Sequence, residues 1–281
     1  MIELHAHSTC SDGRLTPEEL VAEAHGRGIR ALALTDHDTT SGVDRMMAAA
    51  AAVGMRGIAG VEVSSEPPPE GTLHLLGYFI RHQDAFLEEH LRWIREGRHA
   101  RNVAIVQRLN QLGIRLTLEE VSAYASDDVV ARPHFAQALI ERGHARHKRD
   151  AFEKYLARGK AAYVERRRLT ADASIELIRR SGGVAVLAHP FTLKLKRDAF
   201  RTYLKGLVDL GLGGMECWYP EHTPAMRREY LKLAREFRLV PCGGSDFHGL
   251  AVNHAPQVHS IGCMPVPDET PDLLQAAARG T

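Results

Sequence analysis

Short apolar runs alternate along the chain with longer stretches whose apolar positions return every three or four residues. The first pattern suits buried strands, the second one-sided helices. Ile2-Glu3-Leu4-His5-Ala6-His7 alternates like a strand and runs into the loop-forming Ser8-Thr9-Cys10-Ser11-Asp12-Gly13. Thr16-Pro17-Glu18-Glu19 predicts a helix start: Thr16 can cap, Pro17 has no N–H to leave unpaired, and Glu19 can reach back to the Thr16 amide. That helix should end near 26–28. Residues 29–34 read as a buried strand ending in Thr35-Asp36-His37-Asp38, 42–53 as a helix, and 57–63 as a strand ending at Glu62. Pro67-Pro68-Pro69-Glu70-Gly71 reads as a stiff turn, and 73–78 as a strand containing His74.

Over 84–158 the strand signal lapses and helical spacing takes over, with helices expected at 88–112, 116–125, 133–142 and 149–156. The strand and helix alternation then returns. Helices are expected at 171–181, 198–210, 224–237 and 269–278, with strands at 184–188, 214–217 and 239–242 between them. Such alternation argues for an α/β fold with a parallel sheet, open or closed into a barrel. The expected organisation is a body of 1–83 and 159–281 interrupted by a small helical insertion, a lid, at 84–158.

Composition narrows the partners. The 281 residues suffice for one large α/β domain with an insertion. Lys+Arg 36 against Asp+Glu 35 leaves a net charge of +1, so no global basic field favours duplex DNA, and phosphate recognition must be local. Cys10, Cys217, Cys242 and Cys263 are scattered without a C-x-x-C pair, which suits a reducing compartment. No basic segment followed by an apolar one opens the chain, and the Ala-rich stretch 46–53 is too short to span a bilayer. A cytoplasmic protein with no membrane partner is expected, of an oligomeric state that the pattern leaves open.

Sixteen histidines are many for this length, and their placement is informative. His5 and His7, Asp36 and His37, Glu62, His189, Glu216, and Asp246 with His248 all fall at or just past the carboxyl end of an expected strand. In a parallel barrel those ends share one face, where loops from different strands converge. Taken singly, each suits a core or surface residue; as a set they indicate a site. The imidazoles of His5, His7, His37, His74, His134, His189 and His248, with the carboxylates of Asp12, Glu62 and Asp246, exceed the ligands that one catalytic ion takes. Two or three divalent ions are implied, and nitrogen with oxygen donors suits zinc, manganese or iron.

In this order, His5-x-His7, Asp12, Thr35-Asp36-His37, Glu62, His74, Arg132-Pro133-His134, Ala188-His189-Pro190 and Ser245-Asp246-x-His248 resemble the PHP (polymerase and histidinol phosphatase) family of metal-dependent phosphoesterases, over nearly the whole chain. The resemblance implies a distorted (β/α)7 barrel with a small helical insertion and a trinuclear metal centre. It implies that His5, His7, Glu62 and Asp246 hold one ion, Asp12, His37 and His248 a second, and Glu62, His74 and His134 a third. Some relatives carry His where Asp12 stands, which leaves the metal open. Arg132 and His189 look like the residues that grip the substrate phosphate. Arg132 to Phe135, Tyr163-Val164 and the segment from Glu216 to His222 look like the branch containing nucleoside 3′,5′-bisphosphate phosphatases and a 5′-to-3′ exoribonuclease.

The activity so implied is hydrolysis of a nucleotide phosphate monoester, foremost the 3′-phosphate of nucleoside 3′,5′-bisphosphates, with 5′-to-3′ trimming of short 5′-phosphorylated RNA beside it. A hydroxide between the ions would attack phosphorus. Arg132 would bind phosphate through its planar fork of donors, the alternative being a solvated surface arginine. His189 would bind phosphate or, as imidazolium, protonate the leaving oxygen. His222 reads as a substrate contact or as a cap for the helix at Thr223-Pro224. Arg142, Arg146, Lys148 and Arg149 could track a nucleic-acid strand, but such runs are usually a solvated face. The other histidines, among them His25, His82, His90, His99, His144, His147, His254 and His259, read mostly as local or surface residues. Rival readings are a histidinol-phosphate or other small-phosphomonoester phosphatase, and a non-catalytic nucleotide-binding module. An amide or lactone hydrolase would want a carboxylated lysine, and Lys160, Lys194 and Lys196 lie off the expected strand ends.

Overall fold

The computed structural model describes residues 1–68, 71–124, 130–249 and 259–280. Pro69 and Glu70 of the proline-rich turn, Ala125 at the end of an expected helix, and His254 lie outside the described residues. Among those described, the chain forms two compact units, one of Met1–Arg92 with Arg168–Thr281 and one of Trp93–Arg167.

In the first unit, β1 (Ile2–Glu3), β2 (Ala31–Leu34), β3 (Arg56–Ser65), β4 (Leu73–Tyr78), β5 (Val184–Leu187), β6 (Gly214–Trp218) and β7 (Val240–Gly243) pair in sequence order as one seven-stranded sheet. The sheet curls into a nearly closed barrel. Its last seam is a single bridge between Ala6 and Phe247, where His7 N–H donates to Phe247 O at 2.8 Å and Phe247 N–H to His5 O at 3.2 Å. The expected all-parallel sheet fails at β4, which runs antiparallel to both β3 and β5. The link 66–72 is too short for a crossover helix, so the chain doubles back and pairs Ser65 with Leu73. His74 consequently stands second in its strand, beside Ser64, at the rim where β3 ends.

Helices α1 (Pro17–Gly26) and α2 (Val43–Ala52) follow β1 and β2 and bury Leu20, Val21, Val43 and Met46 against Leu32 and Leu34. Thr16 and Glu19 form the expected reciprocal cap of α1, at 3.2 Å and 2.8 Å. A second cluster packs Leu4, Ala33, Ile58, Leu76, Tyr78 and Val186. Tyr78 is buried there because its hydroxyl donates to Leu4 O at 2.8 Å, which satisfies the one polar atom of the side chain.

α3 (Ala85–Gln111) leads into the second unit, where α4 (Leu118–Ser122), α5 (Arg132–Glu141) and α6 (Lys148–Ala151) surround Ile105, Leu109, Phe135, Leu139 and Leu156. The helix expected at 149–156 is α6 continued by one turn of π-helix, Phe152–Leu156. The first unit resumes with α7 (Ala171–Arg180), α8 (Arg197–Asp209), α9 (Pro224–Glu236) and α10 (Thr270–Arg279). Among the described residues no helix is long and apolar enough to cross a membrane.

Candidate metal centre

The strand period of two carries Glu3, His5 and His7 to one side of the chain at β1, and all three are buried. Glu3 works as a staple between chain ends. Its Oε1 accepts from His5 N at 3.0 Å and Ser245 N at 2.9 Å, and its Oε2 from Ser245 Oγ at 2.6 Å and Gly262 N at 2.8 Å. Only a glycine allows this approach, since a Cβ on Gly244 would sit 2.4 Å from His5 Cβ. Asp246 follows in the left-handed region, φ 51°, which turns its carboxylate onto His5 and His7. Beside β1, just past the end of β2, Asp36 pins the loop that carries Asp12, accepting from Ser8 N at 2.8 Å, Ser8 Oγ at 2.7 Å and Ser11 Oγ at 2.6 Å. Burial lifts the Asp36 pKa to about 6 against those hydrogen bonds.

Among the described residues three overlapping groups result, each with one nitrogen or oxygen atom per residue within 4.8 Å of the others: His5, His7, Glu62 and Asp246; His7, Asp12, His37 and His248; and His37, Glu62 and His74. Glu62, from the middle of β3, joins the first to the third. Its Oε2 lies 3.3 Å from His5 Nε2, 3.4 Å from His7 Nε2 and 3.0 Å from His37 Nδ1, and its Oε1 lies 2.8 Å from His74 Nδ1. Asp246 Oδ1 stands 3.3 Å from His5 Nε2 and 3.0 Å from His7 Nε2. Asp12 meets His248 Nε2 at 3.2 Å and His37 Nε2 at 3.6 Å.

Mutual charge sets the protonation of these groups. Burial disfavours charge on His5, but Glu216, Asp246 and Glu62 overcome it and hold its pKa well above the ordinary value. Burial and then the neighbouring His248 push His7 down to about 4. For Glu62 and Asp246 burial works against ionisation, yet the surrounding imidazoles keep both carboxyls well below their usual range. His248, against the cost of burial, is raised to about 9 by Asp12 and Asp246.

The donor set fits divalent ions. Buried polar atoms ordinarily find hydrogen-bond partners, and exceptions require an explanation. His5 Nε2, His7 Nδ1 and Glu62 Oε2 are buried and accept or donate no hydrogen bond. Several imidazole nitrogens aimed at one carboxylate oxygen cannot all be satisfied by it, whereas a cation among them takes a lone pair from each.

The other expected site residues have distinct settings. His189, at φ 25°, donates Nε2–H to Glu62 Oε1 at 3.0 Å and Nδ1–H to Thr192 Oγ1 at 3.0 Å. His222 is buried and donates Nδ1–H to Cys217 O at 3.1 Å; the cap of α9 is supplied by Thr223, whose hydroxyl accepts from Met226 N. Arg132 and His134 occupy the first turn of α5 in the second unit. There His134 Nδ1 accepts from Ala131 N at 3.1 Å, and the Arg132 guanidinium lies 6.0 Å and 5.5 Å from the Phe152 and Tyr163 rings. Arg142, Arg146 and Arg149 pair with Glu120, Asp150 and Glu153, as a solvated face does. Lys160, Lys194 and Lys196 are exposed, which deprives an amidohydrolase reading of its buried lysine.

Sequence reasoning did not single out Glu3 or His259 for the site, and it read Tyr219, beside a strand end, only as a residue that could line the pocket. Glu3 had a signal, its place two residues before His5. Tyr219 donates its hydroxyl to Asp246 Oδ2 at 2.7 Å, and His259 donates Nδ1–H to Ser245 O at 2.7 Å; both contacts join segments with no local relation.

Comparison with known proteins agrees with this architecture. A 5′-3′ exoribonuclease of Haemophilus influenzae is 35% identical over 246 residues, covering 88% of this chain and 89% of its own. A 3′,5′-nucleoside bisphosphate phosphatase of Chromobacterium violaceum is 33% identical over 271 residues, with 94% of each chain covered. A solved structure from Chromobacterium violaceum, named as an amidohydrolase and holding sulfate without metal, superposes with a TM-score of 0.82 at 31% identity, over 98% of this chain and 96% of that one. The PHP domain matches residues 3–210, and the chain belongs to the PHP domain family.

Proposed function

We propose that this protein is a metal-dependent phosphoesterase that hydrolyses a phosphate monoester of a nucleotide, foremost the 3′-phosphate of nucleoside 3′,5′-bisphosphates, in the cytoplasm. The observation that carries the reading is Glu62: one buried carboxylate oxygen faced by three imidazole nitrogens at 3.0–3.4 Å, with no hydrogen bond to satisfy it. His5, His7, Glu62 and Asp246 would hold one ion, Asp12, His37 and His248 a second, and Glu62 with His74 would contribute to a third. Zinc, manganese or iron fits these donors. When bound, such ions supply an activated water and neutralise charge that builds on the phosphoryl oxygens.

The chain's own groups do the rest. His189 is raised in pKa because the Glu62 carboxylate outweighs the cost of burial, which favours its protonated form. Its Nε2–H can bind a phosphoryl oxygen or be given to the leaving oxygen. Arg132, braced against two aromatic rings, offers a planar fork suited to two phosphoryl oxygens. His134 keeps the ligand part that the family resemblance gives it, and His222 keeps its reading as a substrate contact, since Thr223 supplies the cap of α9. The named activity of the Chromobacterium violaceum relative supports a bisphosphate substrate, and that of the Haemophilus influenzae relative supports 5′-phosphorylated RNA as a second substrate.

The test is phosphate release by metal-reconstituted protein from adenosine 3′,5′-bisphosphate, short 5′-phosphorylated RNA and histidinol phosphate. Preference for the bisphosphate is expected. Preference for histidinol phosphate would reassign the substrate, and tight binding of all three without turnover would make the protein a non-catalytic module.

A further inference from the structure

β6 supplies no atom to any of the three groups of nitrogen and oxygen donors, yet it and the residue after it touch three of the residues gathered at the rim. Glu216 is fully buried in the strand and uses both carboxylate oxygens. Oε1 accepts from His5 Nδ1 at 3.0 Å, and Oε2 accepts the backbone N–H of His189 at 2.6 Å. His189 has φ 25° and ψ 66°, a strained conformation for a residue with a side chain, and such strain persists only where surrounding contacts enforce it. The second contact comes from Tyr219, whose hydroxyl engages Asp246 Oδ2 at 2.7 Å. Asp246 Oδ1 is thereby left to face His5 and His7 at 3.3 Å and 3.0 Å.

The two contacts act on one position. With the His5 Nδ1 proton held by Glu216, the lone pair of a neutral His5 lies on Nε2, the atom directed at Glu62 and Asp246. We propose that Glu216 and Tyr219 are the positioning residues of the ion position formed by His5, His7, Glu62 and Asp246. Glu216 selects the ligating tautomer of His5 while clamping the backbone of His189, and Tyr219 selects which oxygen of Asp246 faces the ion. The proposal rests on the reading of those four residues as ligands. It adds that their geometry depends on a strand that ligates nothing, and that β6 ties this one position to His189 through the Glu216 carboxylate.

Two near-isosteric variants test it. In Glu216→Gln the amide oxygen can still accept the His189 N–H, but the amide nitrogen then faces His5 Nδ1 as a donor and drives the proton to Nε2, the wrong atom for a ligand. Tyr219→Phe removes a single hydroxyl. Supporting partners of this kind change metal affinity by about 10–100-fold. The measurement is zinc and manganese binding by chelator competition with elemental analysis of bound equivalents, alongside melting of each ion-free protein.

A loss of about 10–100-fold in affinity for one ion, with the remaining equivalents bound as in wild type, is expected of both variants. Wild-type affinity for every ion in either variant would overturn the proposal. So would an equal loss of all ions together with a lowered ion-free melting temperature, which would mark a merely structural role. If Glu216→Gln does not fold, Tyr219→Phe decides the question. Wild-type protein that binds no divalent ion would overturn the ligand reading itself, whereas wild-type turnover with an unaltered Tyr219→Phe would overturn only the inference from β6.

Discussion

At the barrel rim, Glu62, His5 and His7 are fully buried, and His5 and His7 face Glu62 and Asp246 from segments far away in sequence. In the helical unit, Arg149 and Glu153 pair one helical turn apart with side chains 83% and 60% exposed. The first arrangement keeps charge out of water and must compensate each group through several neighbours. The second leaves each charge solvated, so the pair contributes little. Charge at the rim is therefore sensitive to position, while the Arg149–Glu153 pair is a solvated surface contact.

The contrast is sharpest at the residues of the first group. Asp246→Asn and His5→Ala should cost activity by more than the ~100-fold typical of residues that merely support a metal site. Asn tolerates the left-handed backbone at 246, so circular dichroism and melting should stay near wild type. Wild-type-like turnover by either variant in metal-controlled buffer would put the rim on a par with the surface.

Ion removal probes the same region through pH. His5 is held well above its ordinary pKa and His248 at about 9, so at pH 7 both carry protons that an ion must displace. Those protons leave as pH rises, and metal affinity should therefore strengthen from pH 7 toward pH 9 and weaken below pH 7. Chelator treatment should abolish activity, and reloading in weak buffer should release protons. A pH-independent affinity over that interval would contradict the protonation pattern.

A smaller effect is expected from the packing behind the site. Gly244→Ala sets a methyl against His5 Cβ and the Glu3 carboxylate, an overpacking that should cost about 1–3 kcal/mol of stability by denaturant unfolding. No change at all would mean that the two chain ends are looser than the Glu3 staple implies. The smallest effect belongs to the helical unit: Arg149→Ala should leave the denaturant-unfolding midpoint at its wild-type value. It should also leave RNA affinity unchanged, because that arginine already pairs with Glu153. A marked loss of RNA binding would move this surface into the functional region.

Several of these features were legible in the residues. The cap formed by Thr16 and Glu19, the period of two that aligns His5 with His7, and the strand-end positions of His37, His189 and Asp246 are local, and local hydrogen bonding and backbone geometry determine them. The reversal of β4 was not legible, because strand direction depends on the partner found as well as on the length of the link. That reversal decides where His74 stands. The contact of Tyr219 with Asp246 was not legible either, since the distance between them in sequence carries no sign of the hydrogen bond. His259 was read as a local residue for the same reason.

By itself the sequence determined the alternation of strands and helices, the starts of several helices, and the supply of imidazoles and carboxylates at strand ends, since each follows from interactions spanning a turn or two of backbone. Only the tertiary structure decided which oxygen faces which nitrogen. His7 and Asp246 are 239 positions apart and Glu3 and Ser245 are 242 apart, and closure of the barrel brings both pairs within 3.0 Å. That closure is a property of packing among all seven strands, so no stretch of sequence contains it alone.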